Sequence, residues 1–140
     1  MDTVSPAQRS SVMAKVKGRN TRPEKALRSL LFRHGFRFRL HQAGLPGTPD
    51  IVLPRYKTII FVHGCFWHRH PGCKRASMPA SNAGYWGRKF ERTVARDATN
   101  KAILEHMGWR VIIVWECELR SLGREFAALA ATIRSPVAPL

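Results

Sequence analysis

Apolar and polar positions recur with two periods along this chain. Thr21-Arg22-Pro23-Glu24 has capping-box spacing, Pro23 suits a first helical turn, and Leu27, Leu30 and Leu31 follow at helical spacing up to Gly35. Ahead of this predicted helix, Ser5-Pro6 can open a short one over Pro6–Val16, whose apolar stripe of Val12, Met13 and Val16 is thin. Phe36, Phe38 and Leu40 alternate with Arg37, Arg39 and His41, as a half-exposed strand should. Asp50–Leu53 and Thr58–His63 then read as two strands joined by a turn at Pro54–Lys57, a predicted hairpin whose second strand has little polar relief. From Gly64 to Gly87 no period holds, which predicts a long loop of the kind that usually carries function.

The helical period returns over about Phe90–Met107, with Phe90, Val94, Lys101 and Leu104 on one face and Gly108 as the stop. Trp109–Glu116 is the most strongly apolar strand, and Ser121–Arg134 is a last helix with Phe126, Leu129, Ala130 and Ile133 inward. Residues 135–140 are expected to fray. This order predicts an α/β fold, a mixed sheet covered by helices, in a single domain over residues 1–134.

Charge then narrows the partner. The 140 residues carry 24 Lys plus Arg against 9 Asp plus Glu, a formal charge of +15, with 44% apolar residues. Such a chain can build a core and is not a disordered basic tail. Asp50 is the sole acid between Glu24 and Glu91, so the positive charge is concentrated in the first two-thirds of the chain. A basic surface gains free energy by releasing the counterions condensed on a polyanion, which points to nucleic acid. No apolar run approaches the roughly 20 residues of a membrane span, and the N-terminus has no apolar segment of an export signal. Three cysteines cannot all pair with one another, so a reducing compartment with metal ligation is the expectation.

The candidate chemistry lies in the irregular segment and beside it. Cys65, Cys73 and Cys117 with an imidazole can form a tetrahedral Cys₃His zinc site, closed to substrate and therefore structural. His70 is the preferred fourth ligand, and spacing leaves His68 and His63 open. Gly47-Thr48-Pro49-Asp50 places a carboxylate where a turn enters a strand, a position that often merely caps the turn. Its company argues for more: His63 and His68 bracket the end of the adjoining strand, and Asp97 stands on an otherwise apolar helix face, where an inward carboxylate needs a partner. Glu24 can serve the capping box, an active site or both. Phe66, Trp67, Tyr85 and Trp86 sit among Arg69, Lys74, Arg75, Arg88 and Lys89, a mixture that suits local core or the stacking and wedging of bases.

Several motifs in one order now resemble a known family. Arg19-Asn20-Thr21-Arg22-Pro23-Glu24, Leu45-Pro46-Gly47-Thr48-Pro49-Asp50, Phe61 through His68, His70-Pro71-Gly72-Cys73, and Trp109-Arg110-Val111 through Trp115-Glu116-Cys117 are similar to the very-short-patch-repair (Vsr) DNA mismatch endonucleases, over about residues 5–120. The resemblance implies a restriction-endonuclease-like fold, a structural zinc, and a magnesium-dependent nick 5′ of the thymine in T·G mismatches left by deamination of 5-methylcytosine. It implies that Asp50 and the main-chain carbonyl of Val62 hold magnesium, that His68 is the catalytic histidine with His63 and Asp97 supporting it, and that Glu24 lies near the metal. Cys65, His70, Cys73 and Cys117 resemble the zinc ligands; Phe66, Trp67 and Trp86 resemble the aromatics that enter the base stack, with Lys89 beside them on the DNA; and Met13 resembles a minor-groove contact within an N-terminal helix and arm over residues 1–20.

Implied partners are double-stranded DNA with a T·G mismatch and a mismatch-repair protein such as MutL, with a monomer in a bacterial, nucleoid-associated cytoplasmic setting and no membrane. Two departures stand out: Val62 replaces the threonine of some members, and two residues rather than one separate His70 from Cys73. Two competing readings are a nuclease of the same fold with another sequence preference, and a zinc-stabilised DNA-binding module without catalysis. The set of Asp50, His63 and His68 counts against the module.

Overall fold

The computed structural model describes residues 21–137. The expected Pro6–Val16 helix and Met13 lie outside the described residues. Within them the order is α1 (Arg22–Arg33), β1 (Arg39–Leu40), β2 (Ile51–Leu53), β3 (Thr58–His63), α2 (Ala83–His106), β4 (Arg110–Trp115) and α3 (Leu122–Arg134), with short 3₁₀ turns at Pro54–Tyr56 and Glu116–Arg120. The four strands form one mixed sheet in the order β1-β2-β3-β4. β1 and β2 pair antiparallel, as do β2 and β3, which makes the expected hairpin, while β3 and β4 run parallel with α2 in the crossover.

Alternation along the strands divides the core in two. Ile51, Leu53, Ile60 and Val114 meet Leu27 and Leu31 of α1 and Phe126, Ala130 and Ile133 of α3. Val52, Ile59 and Phe61 point to the other face and meet Leu104 of α2, with Trp109, Val111 and Ile113 beside them. Both faces of β2 and β3 are therefore covered, which is why those strands read as unbroken apolar runs. Each fully buried Leu or Ile contributes about 1.5–3 kcal/mol relative to an exposed one.

The helix starts follow local chemistry. Thr21 caps α1, its hydroxyl accepting from the Glu24 amide at 3.4 Å, with Pro23 in the first turn. Lys57, at φ 51°, closes the turn between β2 and β3. Arg110, entering β4, donates from Nη1 to the carbonyls of Thr132 and Ile133 and from Nη2 to that of Ser135 at 2.6 Å, tying the end of α3 to the sheet.

Three expectations are corrected. The predicted loop ends early, since α2 begins at Ala83 rather than near Phe90; Gly84 and Gly87 lower helix propensity there, but Trp86 packs on Phe90 one turn on, with ring centroids 5.6 Å apart. Val94 is 45% exposed and does not share the buried face of Phe90 and Leu104. Phe36 is core rather than half-exposed strand, lying edge-on to Tyr56 and Phe126, and only Arg39 and Leu40 pair in β1. Of the stretch expected to fray, Ser135 is held by Arg110 and by its own amide, which donates to Ala131 O, and residues 138–140 lie outside the described residues.

Leu104 is the fully buried residue through which α2 grips the sheet. Leu104→Ala should cost about 2–5 kcal/mol of unfolding free energy in denaturant titration, whereas Val94→Ala should cost under about 0.5 kcal/mol.

Candidate functional site

Topology gathers the chemistry at one end of the sheet. β3 and β4 are parallel and in register to their last pair, His63 opposite Trp115, so the residues two positions beyond, Cys65 and Cys117, leave the sheet side by side. The 64–73 segment turns back on itself: His68 N–H bonds Gly64 O, His70 N–H bonds Cys65 O at 3.0 Å, and Cys73 N–H bonds His70 O. Gly72, at φ +71°, supplies the left-handed residue that brings Cys73 around. One donor atom from each of Cys65, His70, Cys73 and Cys117 then lies within 4.8 Å of the others.

This donor set fits a tetrahedral soft-metal site. His70 Nδ1 is 3.3 Å from Cys117 Sγ, and its ring stacks on Trp115 at 4.3 Å between centroids. Burial pushes the Cys65 thiol up to about 12, while the Cys73 thiol is drawn below its usual value, chiefly by the Arg75 amide. Three sulfurs this close share protons poorly, and a divalent cation that takes them as thiolates relieves the crowding.

Beside the loop opens a cleft of about 760 Å³ holding two further groups of possible ligands. In the first, Asp50 Oδ2 accepts the Val62 amide at 2.8 Å across the hairpin. Burial raises the Asp50 carboxyl to about 7; the Val62 amide and Arg28 oppose this, and the neighbouring Glu24 carboxyl adds to it. Glu24 itself is 2% exposed, and its Oε1 lies 2.8 Å from His41 Nε2. Two buried carboxyls forced together favour a proton or a cation between them, so the fit to a hard divalent ion rests on the donors themselves.

In the second group, the His68 ring bonds Asp97 Oδ2 through Nδ1 at 2.7 Å and stacks on His63 with centroids 3.8 Å apart and planes 8° from parallel. Asp97 comes from the middle of α2, three residues after the exposed Val94. His63 is 5% exposed, and its Nδ1 has no hydrogen-bond partner among the described residues. Burial lowers its pKa to about 4, with the His68 ring adding to the effect and Asp97 opposing it.

Aromatic rings roof the cleft. Phe66 meets Trp67 edge-on at 5.1 Å and Phe90 at 5.2 Å, and Trp67 lies 6.0 Å from Trp86. All three of Phe66, Trp67 and Trp86 are half-buried against one another, and Lys89 Nζ sits 5.6 Å from the Trp67 ring and 5.5 Å from that of Trp86. Arg69, at φ 56°, lies over Phe90 at 4.0 Å and donates to the carbonyls of Phe66, Ala76 and Ser77, which locks the loop under the rings.

The family model described as DNA mismatch endonuclease Vsr matches residues 1–75. The chain belongs to the Vsr family. Among Vsr relatives, it is 51% identical over 138 residues to the type II nicking enzyme V.XorIIP of Xanthomonas oryzae, covering 99% of this chain and 98% of that one. It is 45% identical over 124 residues to the DNA mismatch endonuclease Vsr of Escherichia coli, 89% and 78% of the two chains, and 43% identical over 120 residues to the type II nicking enzyme V.NmeAIP of Neisseria meningitidis, 86% and 85%. As a Vsr endonuclease it nicks DNA and is a phosphodiester hydrolase. No helix among the described residues is long and apolar enough to cross a membrane.

Two residues of the Vsr cleft escape a reading of the sequence alone. His41 counts there only as the polar partner of Leu40 in an alternating strand, yet the register Leu40 opposite Ile51 carries on to His41 opposite Asp50. Glu116, which accepts the Cys65 amide at 3.2 Å, reads only as a strand end. An acid or imidazole placed across from Asp50, or just before Cys117, was the available signal.

His63 generates a pH test. Its folded pKa of about 4 lies below the ordinary 6.5, so between those values the unfolded chain binds a proton that the folded ring refuses. The stabilisation is complete above about pH 6.5 and is lost as pH falls toward 4. Ring titration by NMR should give His63 a midpoint near 4, and His63→Asn should flatten the rise of stability with pH in that window; a midpoint near 6.5 would exclude the buried neutral ring.

Proposed function

We propose that this chain nicks double-stranded DNA on the 5′ side of the thymine in T·G mismatches that arise by deamination of 5-methylcytosine, on a restriction-endonuclease-like scaffold, with magnesium for catalysis and zinc for structure. The observation that carries this reading is the single cleft that holds Asp50 with the Val62 strand on one side and the His68–Asp97 pair on the other, under a roof of half-buried aromatics.

In this reading Asp50 and the Val62 carbonyl hold magnesium, with the Glu24 carboxylate close by. The bound ion supplies Lewis-acid polarisation of the scissile phosphate and offsets charge on the leaving 3′ oxygen. His68 performs the proton transfer. With Nδ1–H donating to Asp97, the lone pair is on Nε2, which takes a proton from the attacking water, and the Asp97 carboxylate stabilises the imidazolium that results. His63, neutral and stacked on His68, fixes the plane of that ring without adding a second charge.

Cys65, His70, Cys73 and Cys117 hold the zinc, and the loop it closes contains Phe66, Trp67 and His68, so one metal positions the wedge and the base together. Phe66, Trp67 and Trp86 enter opened base steps while Lys89 meets the backbone. Unstacking costs a few kcal/mol per step and least at a mispaired base, so the wedge itself favours a T·G site. The charge of +15 supplies the sequence-independent affinity.

Cleavage of one duplex sequence carrying T·G or T·A, with magnesium or with EDTA, is the direct test. Nicking should need both T·G and magnesium. Asp50→Asn should lower the rate by at least about 10³-fold while DNA affinity changes by less than about threefold, because affinity comes mainly from phosphate contacts. Near-wild-type nicking by Asp50→Asn would remove Asp50 from the chemistry, and equal nicking of T·A would favour the nuclease of other specificity.

Cys117→Ser should lose zinc and thermal stability together, since structural zinc binding is coupled to folding. Metal analysis of protein purified without added zinc should find about one zinc per chain. A folded, active protein with none would contradict the assignment.

A further inference from the structure

The proposed function leaves one imidazole of the cleft without a task. His41 follows β1, and its amide donates to Asp50 O at 3.2 Å, which continues the antiparallel ladder and makes His41 the cross-strand neighbour of Asp50. At φ 46° its backbone adopts the left-handed conformation, uncommon for a residue with a Cβ, and the ring is largely buried, its side chain 11% exposed. The ring does not face solvent or the apolar core. Its Nε2 is directed at the Glu24 carboxylate at 2.8 Å, and one donor atom each from Glu24, His41 and Asp50 lies within 4.8 Å of the other two. Adjacent ligands of an octahedral ion held at about 2.1 Å stand roughly 3 Å apart, so the His41–Glu24 separation is that of two neighbouring ligands.

Three side chains with oxygen, oxygen and nitrogen donors differ in kind from a magnesium site. Magnesium takes oxygen almost throughout, keeps several waters, and is usually held by one or two carboxylates. Imidazole nitrogen is a better ligand for first-row transition ions, and manganese accepts carboxylate and imidazole alike. With its proton on Nδ1, the His41 ring turns the Nε2 lone pair into the space shared by the two carboxylates.

We propose that His41 is a third side-chain ligand of the cation held by Asp50 and Glu24, and that its nitrogen moves the preference of this site from magnesium toward manganese. This rests on the proposed function, in which Asp50 and Glu24 are at the cation. A chain with an oxygen donor or an apolar residue at this position would prefer magnesium more strongly.

Binding without DNA tests it. Manganese is titrated into the full-length, zinc-loaded protein and followed by electron paramagnetic resonance of the free ion, magnesium competition gives the second affinity, and pulsed measurements of bound manganese detect coupling to a ¹⁴N nucleus. Wild type should show nitrogen coupling and bind manganese about tenfold or more tighter than magnesium. His41→Gln, which puts an amide oxygen at similar reach, should lose the coupling and about tenfold in manganese affinity while magnesium affinity stays within about threefold. Thermal melting shows whether each variant is folded, and the coupling in wild type requires no variant.

Asp50→Asn should bind neither ion at this site. If manganese binding depends on Asp50 but wild type shows no nitrogen coupling, or His41→Gln keeps both the coupling and the affinity ratio, the His41 assignment is overturned and the proposed function stands. If manganese binds Asp50→Asn as tightly as wild type, the cation site itself is misplaced and both readings fall.

Discussion

The in-register parallel pairing of β3 with β4 is the constraint on which the site depends. Parallel strands reach the same edge of the sheet together, and everything that leaves that edge is held within a few ångströms. His63 and Trp115 are the last pair, Glu116 receives the Cys65 amide, and Cys65 and Cys117 follow as neighbours. A shift of one residue would turn His63 away from α2 and separate the two cysteines. α2 is the crossover that makes the parallel pairing possible, and the same helix brings Asp97 to His68 and Trp86 to Trp67.

Around that edge the electrostatics are arranged as two unlike groups in one cleft. Asp50 and Glu24 are crowded carboxyls whose burial favours a cation between them, and His63 and His68 are stacked rings of which the inner one is held neutral by burial. Asp97 then has one imidazole to serve rather than two, which gives His68 a defined tautomer. A polyanionic backbone approaching a chain of charge +15 meets few competing acids on the way.

An aromatic cluster packs beside these two groups. Phe66 meets Trp67 and Phe90 edge-to-face, Trp86 stacks on Phe90, and Arg69 spans the loop beneath them through three carbonyls and the face of Phe90. Phe66, Trp67 and Trp86 are neither exposed loop residues nor fully buried core; they form a half-buried cluster over the buried Phe90. Because Cys65 and His70 flank Phe66, Trp67 and His68, the stretch that carries these three is held at both ends by the group of Cys65, His70, Cys73 and Cys117.

Much of this was determined by local order. The capped start of α1, the β2–β3 hairpin, the apolar run of β4 and the inward stripe of α3 follow from period and turn chemistry that act over a few residues. The cysteines with a nearby histidine, and Asp50 with His63, His68 and Asp97, were identifiable because such residues need partners wherever they are buried. Only the tertiary structure decided the start of α2, where ring packing by Trp86 and Phe90 outweighs two glycines, the core position of Phe36, and the exposure of Val94. It also decided that His41 stands across from Asp50 and beside Glu24: residues 24, 41 and 50 share no local period, and their meeting depends on strand register and on a helix packed from elsewhere in the chain, which no window of sequence contains.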